Sequence, residues 1–217
     1  RAKGVPTMPP YAERQLHRLT HWPYRSWCKA CVAGGGREEV HRRTDQERDI
    51  PQVWIDFSFP GMRGTDDVMT LLTVLDFESG AIETANVMEK GNVDYAIKML
   101  VQVLQYWGRK RSILTCDQEN AITALARAVS GERDEETMLQ VGPRIDSKSK
   151  GPIEAAGGRA QQLIRTIVYT INIHYKTELT PSHPICSWLA RHAGWILTRF
   201  TVREDGLTPR RRLKGRS

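Results

Sequence analysis

The chain has 217 residues, 40% of them hydrophobic, which is enough apolar content to build a core and excludes a disordered polypeptide. Its 32 Lys and Arg against 25 Asp and Glu leave a net charge of +7, which points to a polyanionic partner without choosing among DNA, RNA and a membrane surface. No apolar run approaches the roughly 18 residues of a spanning helix, and four cysteines with a single CxxC suit a reduced compartment and one metal site better than a disulfide framework.

Residues 1–50 read as a small module and linker. They are Pro-rich at the start, then carry a His and Cys cluster, then the charged run REEVHRRTDQERD. The first residue is Arg1 and not Met, which suits a fragment or a processed product, and no secretory signal is visible. Within the module, His17, His21, Cys28 and Cys31 are spaced H-x3-H-x6-C-x2-C. Two His four apart share one face of a helix and a CxxC forms a tight knuckle, so all four can reach one tetrahedral Zn²⁺. Trp22, Tyr24 and Trp27 lie among the ligands and are expected to form the small apolar core of a metal-nucleated unit. The competing reading is a free dithiol beside surface histidines.

From Pro51 the pattern changes to strands and helices. QVWIDFSF is rich in β-formers and reads as a buried strand; DVMTLLTVLDF and AIETANVM follow, separated by a Ser-Gly turn signal, so three strands should run as a meander. Val93, Ile97, Leu100, Val101 and Leu104 recur at helical spacing, with Asn92 as N-cap and Gly108 at the end. SILTC is a fourth strand ending at Asp117; 120–129 is a helix closed by Ser130-Gly131; MLQVG is a fifth strand. Two helices complete the chain, 153–175 and 187–200. This order defines an α/β protein with a mixed sheet flanked by helices, divided as 1–50 (metal module and linker), 51–180 (core) and 181–217 (helix and basic tail).

Three carboxylates stand at chemically demanding places in this plan. Asp56 interrupts an apolar strand, where a charge is costly unless paired or coordinated. Asp117 ends another strand, and Glu154 follows Gly151-Pro152 at the start of a helix. Two-metal phosphoryl transfer needs converging oxygen ligands of this kind. Taken singly, each has an ordinary alternative: an edge-strand surface residue, a helix N-cap, and a partner for the helix dipole. Glu119 reads as a solvated helix side chain and Asp76 as a turn residue.

VWIDFSF, TCDQEN and SKSKGPIE, with 60 residues between Asp56 and Asp117 and 36 between Asp117 and Glu154, together resemble the DDE triad of retroviral and retrotransposon integrases. GLTPRRRLKGR is similar to the segment after the core in copia-type elements. The resemblance implies a ribonuclease H-like fold in which Asp56 bridges two Mg²⁺ or Mn²⁺ ions while Asp117 and Glu154 each hold one. It implies processing of 3′ DNA ends and their joining to target DNA by a homo-oligomer, within a nuclear or cytoplasmic nucleoprotein complex. The His and Cys cluster is similar to the HHCC zinc module that precedes such cores, but its six-residue central gap is shorter, which implies a compact knuckle. Two departures point to an alternative, an inactive copy acting as a zinc-containing nucleic-acid-binding protein. Lys150 stands where Asn is common, and Gly157-Gly158 each cost about 1 kcal/mol in a helix. A transposase or nuclease of the same fold is a further alternative.

DNA contacts are expected on phosphates, from Lys148, Lys150, Arg159 and Arg165 around Glu154 and from the basic tail Arg210, Arg211, Arg212, Lys214 and Arg216. His41 is a spare possible ligand in a charged run and reads as solvated, whereas His174, His183 and His192 lack ligand-spaced partners. Trp107, Trp188 and Trp195 are expected in the core.

Overall fold

The computed structural model describes residues 7–35, 49–61, 67–87, 94–142 and 147–215, without the side chains of 147–150. The predicted cap Asn92 and first helical residue Val93, together with His41, Arg216 and the side chains of Lys148 and Lys150, therefore lie outside the described residues. Among the described residues no helix is long and apolar enough to cross a membrane.

The elements run α1 (Tyr11–Arg18), α2 (Lys29–Ala33), β1 (Gln52–Ser58), β2 (Thr70–Asp76), β3 (Ile82–Val87), α3 (Asp94–Tyr106), β4 (Ser112–Cys116), α4 (Asn120–Glu132), β5 (Thr137–Val141), α5 (Ser147–Tyr175), α6 (Ile185–Phe200) and α7 (Pro209–Leu213). The five strands form one sheet in the order β3-β2-β1-β4-β5. β1, β2 and β3 pair antiparallel, as the predicted meander requires, and β4 and β5 add in parallel to β1.

Alternation along β1 sends Val53, Ile55 and Phe57 into a core shared with α3 and α4, while Trp54 packs against a second core built with α5 and α6. β2 divides likewise, with Leu72 and Val74 on the first face and Leu71 and Leu75 on the second. Helices cover both faces, so the central strands read as near-continuous apolar runs. α3 ends as expected, with Gly108 in the left-handed region (φ 69°) just beyond it.

Two boundaries differ notably from the sequence expectation. α4 continues through Ser130-Gly131 to Glu132, because Ser130 Oγ donates to the Thr137 carbonyl (2.9 Å) and holds the last turn against the start of β5. α5 begins at Ser147, so Gly151-Pro152 lies inside the helix and not ahead of it. Pro152, the sixth residue of α5, has no N–H, so one i→i−4 bond is missing from the second turn.

α6 lies directly on β3. A Cβ on Gly194 would stand 2.8 Å from Thr84 N, and Thr84 Oγ1 donates to the Ala190 carbonyl at 2.5 Å. Thr198 Oγ1 accepts from Ile82 N (2.8 Å) and donates to Ile82 O (2.6 Å), so the helix satisfies backbone groups on a strand edge that would otherwise invite pairing. This close approach explains a failed expectation. The line of α6 that touches β3 is Ala190, Gly194 and Thr198, and Trp188 and Trp195 fall on its flank, 57% and 40% exposed, where they stack on either side of His192 (ring centroids 4.3 and 5.5 Å). Trp107 is buried, as predicted.

Asp76 is also not a simple turn residue. It is fully buried and takes a two-pronged bond from Arg109 (Nε to Oδ1 2.8 Å, Nη2 to Oδ2 2.7 Å), with Ser79 N and Oγ donating to Oδ2. Removing one member of a buried pair strands the other charge. Arg109→Met is therefore expected to cost about 3 kcal/mol, read as a lower urea midpoint with an unchanged slope.

Candidate functional site

β1 and β4 run in parallel with Trp54 opposite Thr115, and the same register carried two residues further sets Asp56 level with Asp117. Both carboxylates line one cavity, together with Trp54, Ile55, Cys116, Gly142 and Ile153. Cys116 lies between them in the chain's path, and burial pushes its thiol up, with the Asp117 and Asp56 charges further opposing ionisation. A single sulfur thus feels both carboxylates. Asp117 Oδ1 accepts from Glu119 N (3.1 Å), and Thr123 Oγ1 donates to the Asp117 carbonyl (3.2 Å), which fixes the turn from β4 into α4. Asp117 is therefore not the N-cap. That position is Glu119, whose half-buried side chain makes no capping bond; it precedes the helix and is not the solvated helical residue expected.

α5 crosses the same end of the sheet. Gly157 is buried, and a Cβ on it would meet Thr73 Oγ1 at 3.5 Å and Ser58 Oγ at 4.0 Å; Thr73 is the register partner of Asp56. Ile153 lines the carboxylate cavity, and Glu154 follows it, exposed, one turn before Gly157. Glu154 is thus in the third turn of α5 and not in the first. The two glycines do not interrupt the helix. A Cβ on Gly157 would make only ordinary contacts with the strands, and Gly158 faces open space. Gly158→Ala is expected to stabilise the fold by about 1 kcal/mol, since it removes backbone entropy without a clash. For a chain of this length that is a rise in Tm of about 2–4 °C in a thermal melt.

In the N-terminal module one ligand atom from each of His17, His21, Cys28 and Cys31 lies within 4.8 Å of all the others, and all four residues are buried. His17 Nε2 is 3.3 Å from Cys31 Sγ, and His21 Nδ1 is 3.5 Å from Cys28 Sγ and 3.9 Å from Cys31 Sγ. Tetrahedral bonds of about 2.0–2.3 Å place ligand atoms about 3.6 Å apart, so this N₂S₂ donor set fits Zn²⁺. Cys28 is held far below the ordinary thiol range, chiefly by the hydrogen bond from Cys31, while Cys31, as the donor, is pushed up. His21 is not on the helix with His17. It lies beyond α1 with φ 53°, and its N–H closes a turn onto the His17 carbonyl at 2.7 Å. Tyr24 and Trp27 pack beside Cys28 and Cys31 as expected, whereas Trp22 joins the core under α5 and α6.

The basic residues divide. Arg159 lies on α5 five residues after Glu154, with Nε donating to the Ala155 carbonyl at 3.3 Å. Arg165, expected near Glu154, is about 16 Å further along the helix axis. It is half-buried, and its Nε donates to the Gly34 carbonyl of the N-terminal His and Cys module at 3.4 Å. Arg212 pairs with Asp205 at 2.8 Å and Leu213 packs on the first core, so the basic segment folds back as α7. Sequence reasoning missed Thr170, whose Oγ1 is 3.0 Å from His21 Nε2. Its only signal was a four-residue spacing from Thr166.

Neither a family model nor a curated protein matches the sequence. Solved structures do resemble the chain. A chain of the simian T-cell lymphotropic virus intasome, in complex with PP2A regulatory subunit B56 gamma, aligns over 93% of this chain and 74% of its own, at 16% identity and a TM-score of 0.59. The HTLV-2 integrase catalytic core domain in complex with magnesium aligns in its dimeric form over 75% of this chain and 95% of its own, at 14% identity and a TM-score of 0.52. In its trimeric form the figures are 75%, 97%, 14% and 0.54. The core has the ribonuclease H-like fold of integrase cores. At these identities the likeness is one of fold. Within that ribonuclease H-like frame, Asp56 lies on the central strand and Asp117 just beyond its parallel neighbour.

Proposed function

We propose that this chain is the catalytic core of a retroelement integrase, of the copia-type suggested by its GLTPRRRLKGR segment, in which Asp56, Asp117 and Glu154 hold two Mg²⁺ or Mn²⁺ ions. The observation that supports it best is the meeting of Asp56 and Asp117 in one cavity beside α5, in a fold shared with integrase cores. Carboxylate oxygens are the donors such hard cations take. When bound, the ions would lower the pKa of an attacking water or 3′-hydroxyl and stabilise the leaving oxygen. The chain's own part is positional. Pairing of β1 with β4 sets two carboxylates at a common level, and Glu154, exposed and outside the cavity lining, follows Ile153, the α5 residue that lines it.

Under this proposal residues 1–50 form a zinc module and linker, 51–180 the catalytic unit, and 181–217 a helix and basic tail. Lys148, Lys150 and Arg159 would contact DNA phosphates near Glu154, and Arg165 would serve from the module side of α5. The HTLV-2 core is described in dimeric and trimeric forms; this chain is proposed to act as a homo-oligomer on paired ends, in a nuclear or cytoplasmic nucleoprotein complex. The inactive-copy reading loses one of its supports, because α5 is unbroken across Gly157-Gly158.

The test is joining of labelled donor duplexes with randomised terminal base pairs to a supercoiled target, in Mg²⁺ or Mn²⁺. Joined products are expected with either ion. Their absence with both would remove the assignment, and cleavage without joining would reassign the chain to a nuclease of this fold.

A further inference from the structure

The metal module is seated on α5, the helix that also carries Glu154. A Cβ on Gly34 would stand 2.2 Å from Thr166 Oγ1 and 3.0 Å from Thr166 N, so only glycine allows the module this close. Arg165 donates to the Gly34 carbonyl, and Trp22 is buried in the core beneath α5. One contact in this interface reaches a candidate metal ligand directly. Thr170 Oγ1 lies 3.0 Å from His21 Nε2 and donates its own proton to the Thr166 carbonyl at 2.9 Å.

That arrangement fixes the direction of the first bond. With the Thr170 proton committed to its helix backbone, the hydroxyl oxygen can only accept, so His21 carries hydrogen on Nε2. The Nδ1 lone pair is then left facing Cys28 and Cys31 Sγ, at 3.5 and 3.9 Å. A ligating imidazole held by a hydrogen bond on its other nitrogen keeps the correct tautomer and ring orientation. The His21 backbone is left-handed (φ 53°), uncommon for a residue other than glycine, and its N–H is held by the His17 carbonyl at 2.7 Å.

We infer that Thr170 is a positioning residue for the N-terminal metal site, so that metal affinity depends on the seating of the module on α5. This rests on the reading of His17, His21, Cys28 and Cys31 as a zinc site. Thr170→Val keeps the side-chain shape and removes the acceptor, whereas Thr170→Ser keeps the acceptor.

The experiment measures Zn²⁺ affinity of the full chain by competition with a chromophoric chelator, and the visible spectrum of the Co²⁺-substituted protein, for wild type, Thr170→Val, Thr170→Ser and Cys28→Ser. Thr170→Val is expected to bind Zn²⁺ about 10–100-fold more weakly and to show an altered Co²⁺ band, with Thr170→Ser within about threefold of wild type. Loss in both Thr170 variants, with no rescue by Ser, would overturn the hydrogen-bond role. Wild-type affinity and spectrum in Thr170→Val, with metal binding abolished in Cys28→Ser, would overturn the Thr170 inference alone. Unchanged zinc in Cys28→Ser would overturn the site itself, and the inference with it.

Discussion

Asp117→Asn is expected to reduce DNA joining by on the order of a thousandfold or more, in Mg²⁺ and Mn²⁺ alike, while leaving the thermal midpoint almost unchanged. The two halves of this result have separate causes. A neutral amide offers one oxygen and no charge to a divalent ion, so a cation held between Asp56 and Asp117 loses much of its binding energy. The structural bond of Asp117, in contrast, is acceptance from Glu119 N by Oδ1, and the Asn carbonyl oxygen can take it over. The turn into α4 should therefore survive. On the proposed reading the carboxylates act as a unit, so Asp56→Asn combined with Asp117→Asn should be scarcely worse than either alone. Equal joining by Asp117→Asn and wild type, measured as product per unit time at saturating metal, would sink the catalytic reading.

The second large effect is expected in the module. Purified protein should contain about one zinc per chain, and Cys28→Ser should bring this to background by metal analysis. Structural zinc sites supply apparent binding energies of about 10–16 kcal/mol that are also folding energy. Loss of the ion should therefore release α1 and α2 and uncover the apolar side of α5 where Trp22 is buried. The readout is a lower melting temperature together with faster amide exchange along α5. Acid should mimic the mutation. Thiolates and neutral imidazoles are the ligating forms, so affinity falls as pH drops and protons return to the cysteines and histidines. Binding at neutral pH should release the proton that Cys31 shares with Cys28.

Much of this architecture is legible in linear sequence because it depends on short-range periodicity. The alternation in QVWIDFSF and the Ser79-Gly80 turn between β2 and β3 carry the meander, and the helical spacing of Ile97, Leu100, Val101 and Leu104 carries α3. The H-x3-H and C-x2-C spacings were sufficient to name four residues that the fold brings together. Asp56 and Asp117 were conspicuous because a charge in or beside an apolar strand needs a reason. Boundaries were less legible. Gly131, Gly157 and Gly158 each disfavour a helix by about 1 kcal/mol, a penalty that packing of Ile122, Val129, Ala156 and Ala160 easily outweighs.

What sequence alone determined, then, is the identity and order of the strands and helices from β1 to α6, the four-residue His and Cys cluster and the two strand-borne carboxylates, since each follows from residue type and local spacing. Tertiary structure alone decided the partnerships. Asp76 is buried against Arg109 from another element, Trp188 and Trp195 are forced outward by a helix that touches β3, Arg165 turns to Gly34, and Thr170 meets His21. Such contacts depend on how closely two surfaces approach in space, and residues 149 positions apart along the chain leave no periodic trace of that distance.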